Sequence, residues 1–429
     1  MVIAVRVTVI GLWHLGSVTA ACLAAAGHEV VGLDADTGVV ARLASGRAPL
    51  FEPGLDELAQ ESISAGNLRF SADSADALAR AEVVWVTIDT PVDEDDEADV
   101  GAVRAQLEAV RDDLPDDALL LVSSQVPVGF TRSIAGVLGV RGGYSPENLR
   151  LGKAIEAFRN PERVVVGVDD PSDRGRVAEL LAPFTDRIEW MTVESAEMTK
   201  HALNGFLATS VTFANELARL CEQVGADAKE VERGLKSEGR VGPRAYLAPG
   251  AAFAGGTLAR DVRYLQGFGR EHRVATPFFD GLLASNEVHK RWVRDRVSEA
   301  LDGVEAPVVA ILGLTYKPDT STLRRSLAVE LCGWLAGQGV TVRAHDPAVE
   351  RGDPELPSSV ALQHDARAAI DGADVAVVAT EWSTFQALTP ADIISTMRAP
   401  HVIDQNWFLS AALGGDPRIT YIATGRGRT

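Results

Sequence analysis

The strongest constraint in this chain is a strand–turn–helix–strand unit that occurs twice. Residues 5–10 (VRVTVI) form a β-branched apolar run that ends at Gly11. An Ala-rich helical stretch follows to Gly27, and a second strand, EVVGLD, closes at Asp34. That order is one βαβ unit. Near Pro307 it begins again: PVVAILGLTYK reads as strand and turn, SLAVELCGWLAGQG as helix, VTVRAHD as strand and DVAVVATEW as a later strand. Further strands are predicted at 82–88, 118–123 and 163–168. The fold class expected is α/β, with two Rossmann-like, doubly wound parallel sheets covered by helices on both faces.

The segment between the two blocks has a different period. SAEMTKHALNGFLATSVTFANELARLCEQVG has few breakers and apolar positions at helical spacing, which predicts one long helix ended by Gly225. More helix follows, interrupted by a glycine-rich loop at 248–256 (APGAAFAGG), and another helical stretch runs from 277 to about 300. The predicted domains are therefore 1–194, a helical middle at 195–300 that serves as spacer and dimer face, and 301–429.

Asp and Glu number 60 against 41 Lys and Arg, a formal charge of -19. That balance argues against a nucleic-acid or anionic-membrane partner, which needs a basic face. No apolar run approaches the roughly 18 residues that span a bilayer, and the N-terminus reads as a first strand rather than a signal peptide. Cys22, Cys221 and Cys332 each sit in an Ala/Leu-rich helical context, as buried small apolar residues do. There is no CxxC pair and no metal spacing, so no metal site is expected, and a reducing cytoplasm fits. The acidic run at 93–99 reads as a solvated loop.

The first turn is Gly11-Leu12-Trp13-His14-Leu15-Gly16. A dinucleotide fingerprint has a glycine where Trp13 stands, so the turn by itself also admits a Rossmann unit that binds no dinucleotide. Its setting favours NAD: the turn follows a strand, opens a helix, and Asp34 closes the next strand about 20 residues on. A carboxylate there accepts hydrogen bonds from a ribose hydroxyl and repels a 2′-phosphate, which points to NAD rather than NADP. His14 reads as a loop residue near the pyrophosphate.

Several strings together resemble the UDP-glucose/GDP-mannose dehydrogenase family: GRAPLFEPGLDEL (46–58), Thr90-Pro91, VPVGFT (126–131), SPENLR (145–150), NPERVVVG (160–167), SAEMTKHALNGFLA (195–208), APGAAFAGGTLARD (248–261), ILGLTYKPDT (311–320), TEW with Phe385, and IDQN (403–406). Their order and spacing hold over essentially the whole chain. The resemblance implies an N-terminal NAD domain, a central dimerisation segment that makes a homodimer, and a C-terminal domain for a nucleotide sugar. Members of the family typically oxidise a sugar primary alcohol to a carboxylate with two NAD. A cysteine captures the intermediate aldehyde, and the thioester formed by the second hydride loss is hydrolysed.

The roles that the resemblance implies fall on particular residues. Lys200 and Asn204, one helical turn apart, would stabilise the alkoxide. Asp261 would order the water that takes the alcohol proton, and Glu147 matches the acidic residue of the family's Pro-Glu string. Asn148, Leu149, Phe253, Gly256, Lys317 and Arg324 would face the substrate, and Arg240 would reach the partner subunit's site. Thr90, Pro91 and Gln125 would face the cofactor.

The departures gather on one half of the chemistry. Thr257 stands where the family has its nucleophilic cysteine, Arg260 where it has a lysine, Gln125 where it has a threonine, Leu151 where it has a second glutamate, and Gln405 where it has an arginine. A threonine hydroxyl needs an adjacent general base to attack, and no histidine accompanies Thr257 in its loop. The expectation is a two-electron oxidation that stops at a carbonyl. Two alternatives stay open: the full four-electron reaction through an aldehyde hydrate, and a non-catalytic nucleotide-sugar-binding protein.

Overall fold

The structure is a computed structural model that describes residues 3–91, 98–147, 149–254, 256–350 and 353–426. Asn148 and most of the acidic run at 93–99 lie outside the described residues. The chain divides into two compact units, one up to Leu203 and one from Asn204.

The first unit is built on an eight-stranded sheet: β1 (Arg6–Ile10), β2 (Glu29–Leu33), β3 (Leu68–Ser71), β4 (Val83–Val86), β5 (Leu119–Val122), β6 (Arg141–Tyr144), β7 (Val164–Val168) and β8 (Ile188–Met191). The spatial order is β3-β2-β1-β4-β5-β6-β7-β8. The inner strands β4 (VVWV) and β5 (LLLV) are buried at every residue, as expected when helices cover both faces. One pair departs from the parallel expectation: β6 and β7 run antiparallel, with Gly143 opposite Val168. Their connection holds only a six-residue helix, Ala154–Arg159, about 9 Å long at 1.5 Å per residue. With the two strands antiparallel, the segment after β6 stays at the carboxyl end of the sheet, where the other strand-to-helix turns lie.

The second unit holds a six-stranded sheet, β9 (Val308–Leu312), β10 (Thr341–His345), β11 (Val360–Leu362), β12 (Val375–Val378), β13 (His401–Asp404) and β14 (Thr420–Ile422), in the order β11-β10-β9-β12-β13-β14. All its pairs are parallel. The predicted long helix is Val193–Val224, ended by Gly225 at φ +74°. The predicted helix at 277–300 is two helices, Pro277–Lys290 and Trp292–Ala300, broken at Arg291. Among the described residues no helix is long and apolar enough to cross a membrane, and no group of three His, Cys, Asp or Glu side chains is placed to hold a metal ion.

The doubled sequence pattern is a doubled structure. Gly11 follows β1 at φ +88°, and a Cβ there would lie 2.7 Å from the Ile88 backbone; Gly313 follows β9 at φ +91°, and a Cβ there would lie 2.6 Å from the Thr380 backbone. Both turns need glycine for the same two reasons, a left-handed φ and a close chain crossing. In each, the next residue donates its N–H to the aspartate that closes the neighbouring strand: Leu12 to Asp34 Oδ2 at 2.8 Å, Leu314 to Asp346 Oδ2 at 2.7 Å.

Candidate active site

The two turns differ in what they leave open. Asp346 is 3% exposed and also accepts from Thr315 N, Thr315 Oγ1 and Trp382 Nε1. The helix beyond it, Leu327–Gly337, begins only after residues 314–326 and is capped by the Ser326 side chain. Asp34 is half-buried and is held by Leu12 N and Asp36 N, at 2.8 and 2.9 Å. The helix His14–Ala25 starts directly at the first turn, with no side-chain cap and no acidic residue in its first turn. Its leading N–H groups therefore face outward, the arrangement that binds phosphate. A Cβ on Gly16 would lie 1.8 Å from Gly11 O, so glycine lets this helix seat against the strand end. Trp13 is 47% exposed. The first turn fits a dinucleotide; the second is filled by its own side chains.

Around the first turn, Thr90 is buried and its hydroxyl donates to Gln125 O at 2.8 Å. Pro91 is exposed beside it. His14 does more than line the turn: its Nε2 meets Glu52 Oε2 at 2.8 Å.

Lys200 is 5% exposed. Its Nζ donates to Glu147 O at 2.6 Å and to Glu147 Oε1 at 3.0 Å, so two of its three N–H groups are taken among the described residues. The other carboxylate oxygen of Glu147 accepts from Leu149 N at 2.8 Å. Glu147 and Leu149 line a cavity of about 610 Å³ with Trp85, Phe158, Arg150 and Arg163. Three residues before Lys200, the buried Glu197 takes the N–H groups of Gly129 and Thr131 at 2.6 and 2.9 Å and fixes this helix to the first sheet. Burial raises the pKa of Glu197, against the lowering effect of those two bonds.

In the second unit, Asn204 Nδ2 donates to Asp261 Oδ2; Asn204 is 6% exposed and Asp261 fully buried. Asp261 and the buried Arg260 lie in the first turns of the helix Thr257–His272. Thr257 is its exposed first residue, and its hydroxyl has no hydrogen-bond partner among the described residues. Gly256 precedes it at φ +97°, and a Cβ there would lie 3.7 Å from Arg325 Cδ.

The loop that leads to Thr257 is clamped by side chains to which the sequence reading assigned no role. Asn215 accepts from Gly250 N (2.9 Å) and donates to Ala251 O (3.0 Å). Asn286 does the same for Phe253 N (3.1 Å) and Phe253 O (2.9 Å). His289 Nε2 donates to Gly250 O at 2.8 Å, and Asn406 Oδ1 accepts from Ala251 N at 2.7 Å while its amide donates to Glu381. Asn406 and Glu381 sit in the IDQN and TEW strings; the other three carry no local signal. Gln405 lines a cavity of about 250 Å³ with Ala252 of the loop and His289, while its neighbour, Asn406, makes the hydrogen bond to the loop.

The remaining expected site residues are dispersed. Phe253 packs in a small core with Ala208, Ala259, Val262 and Leu282. Lys317 is half-buried and Arg324 exposed, both after β9. Arg240 is exposed and pairs with Glu238. Leu151 is half-buried. The three thiols are all buried: burial pushes Cys22 and Cys332 up to about 12 and raises Cys221 as well. A thiol so placed is neither ionised nor accessible near neutrality.

Comparison with known proteins agrees along the chain. The UDP-glucose/GDP-mannose dehydrogenase family models match in three parts: the NAD binding domain at residues 5–185, the central domain at 194–288 and the UDP binding domain at 310–410. The UDP-glucose 6-dehydrogenase of Pseudomonas aeruginosa is 33% identical over 99% of this chain and 98% of its own. That of Rhizobium meliloti is 33% identical over 93% and 94%. The solved structure of a UDP-glucose dehydrogenase from Pyrobaculum islandicum superposes with a TM-score of 0.89 at 29% identity, covering 100% of this chain and 99% of that one.

Proposed function

Because this chain belongs to the UDP-glucose/GDP-mannose dehydrogenase family and is an NAD-dependent nucleotide-sugar dehydrogenase, we propose that it removes one hydride from an alcohol carbon of a UDP-sugar and releases the carbonyl product. NAD, when bound, supplies the hydride acceptor. In this reading Lys200 turns its remaining Nζ–H to the substrate oxygen, and Asn204 adds an amide donor. Both stabilise negative charge as the C–H bond breaks. The hydroxyl proton passes to Asp261 through a water, which leaves the carbonyl. Glu147 holds the ammonium of Lys200 in place, and Leu149 borders the sugar. The segments 1–194, 195–300 and 301–429 would bind the dinucleotide, the partner subunit and the nucleotide, respectively.

The observation that carries this reading is the lack of a usable thiol. Each cysteine of the chain lies in a core with its pKa raised by burial, and in this reading Thr257 takes the family's cysteine position. Capture of the aldehyde as a thioester precursor then has no nucleophile. The test is stoichiometric. With excess NAD and a panel of UDP-sugars, one NADH per sugar consumed is expected, with a product that hydroxylamine traps as an oxime. Two NADH and a uronate would reject the proposal.

That rejecting outcome defines the second reading, which the names of the relatives at 33% identity favour. A four-electron oxidation would lose its second hydride from the aldehyde hydrate, with Thr257 only hydrogen-bonding the hydrate. The formed Lys200–Glu147 and Asn204–Asp261 pairs weigh against a non-catalytic binder.

We also propose a homodimer. Phe206, Phe213 and Leu220 are 67%, 50% and 59% exposed on the Val193–Val224 helix. A spacing of seven keeps them on one face, an apolar stripe of the kind that marks an interface. Sedimentation should give a dimer mass for the native chain and a monomer mass for Phe213→Glu; a native monomer would refute this.

A further inference from the structure

The FEPGLDEL string has no part in the chemistry above, yet it places a carboxylate at a junction. Glu52 is 4% exposed, and its two oxygens take three donors: His14 Nε2 at 2.8 Å and Gly152 N at 2.9 Å on Oε2, and Ala154 N at 2.8 Å on Oε1. His14 is the first residue of the helix that opens at the first glycine turn with no side-chain cap. Gly152 and Ala154 close the segment that begins at Glu147. From there the bonding continues: Lys153 N to Arg150 O at 2.9 Å, Leu149 N to Glu147 Oε2 at 2.8 Å, and Lys200 Nζ to Glu147 at 2.6 and 3.0 Å. Within the first unit, a run of hydrogen bonds and short backbone turns thus joins the dinucleotide turn to Lys200.

A desolvated carboxylate is held by its donors, and losing one leaves its charge under-compensated. Glu52 therefore behaves as a rigid three-way joint rather than as a surface charge. Phosphate on the turn restrains the start of the helix and with it His14, and the restraint reaches Gly152 and Ala154 through one shared carboxylate.

We infer that His14 and Glu52 are positioning residues that couple the two halves of the site: dinucleotide binding orders residues 149–154 and so raises affinity for the nucleotide sugar. This rests on the reading of Glu147 and 149–154 as sugar-facing, and by reciprocity the sugar nucleotide tightens NAD binding by the same factor.

Amide hydrogen exchange of the peptide 149–159 tests it with NAD alone. In the native protein, saturating NAD should slow exchange at Gly152 and Ala154 by about fivefold or more, the low end of ordinary coupling between sites. His14→Phe, which removes the ring donor but leaves Glu52 its two backbone partners, should lose that slowing. His14→Gln, which restores an N–H donor, should recover part of it. Calorimetry should then show that NAD tightens binding of the UDP-sugar in the native protein and in His14→Gln but not in His14→Phe. Exchange that NAD leaves unchanged in the native protein overturns the inference, as does full slowing in His14→Phe. If no UDP-sugar binds, the substrate reading fails while the amide result still decides the coupling.

Discussion

Asp261→Asn is expected to lower kcat for NADH formation by about 10²–10⁴-fold, the range that a positioned general base supplies. Asp261 is fully buried and bonded to Asn204 Nδ2. Asparagine has the same shape, so its carbonyl can still accept that bond; circular dichroism checks that the fold is kept. It cannot take up a proton. Removing the base but not the donors leaves Lys200 and Asn204 to stabilise the alkoxide, so the loss should fall on kcat, with KM for the sugar nucleotide within about threefold. Residual activity should rise with pH as hydroxide replaces the missing base. A loss under about fivefold would show that the proton leaves by another route, since even a modest general base is worth more.

A second large effect is a stability that depends on pH through His289. Burial, with a smaller contribution from the Arg219 charge, pushes this imidazole down to about 4, against the opposing bond to Gly250 O. Its Nε2–H makes that bond, and its Nδ1 is buried with no partner among the described residues, so a second proton would have no acceptor. In the unfolded chain the group titrates near 6.5. Between these values the unfolded state binds more protons, so stability rises with pH there. It is complete above 6.5 and is lost as pH falls through 4. The depression of about 2.5 units corresponds to about 3 kcal/mol. Urea unfolding at pH 7.5 and pH 4 should show the native chain losing about 3 kcal/mol more than His289→Gln, whose amide keeps the Gly250 bond without titrating. Equal losses would mean that the loop clamp does not sense the proton.

The site was legible in the sequence where its parts are local. The strand, glycine turn, helix and acid from Val5 to Asp34 fall within a single βαβ unit. Lys200 and Asn204 are one turn apart on a helix whose period is plain. The second block around Gly313 could be read for the same reason, although only the structure shows that Asp346 is saturated by Thr315 and Trp382 while Asp34 stays open. The antiparallel β6–β7 pair was not legible, because Arg163–Val168 reads the same whichever way it runs. Its direction is seen only in the strand pairing, which sets Gly143 opposite Val168.

The clamp on the 248–256 loop and the Glu52 joint lay further out of reach. Asn406 meets Ala251 across 155 positions of sequence, and Glu52 meets Ala154 across 102. No periodicity records such a pairing, since a side-chain hydrogen bond depends on which segments the packed sheets bring together. The amino-acid order by itself determined the two glycine turns, the long helix and the family to which the chain belongs, because each rests on neighbours within a turn or a strand. Only the tertiary structure decided which turn is open for a dinucleotide, which side chains hold the loop before Thr257, and that no thiol is free to react, because burial and hydrogen bonding are properties of packing.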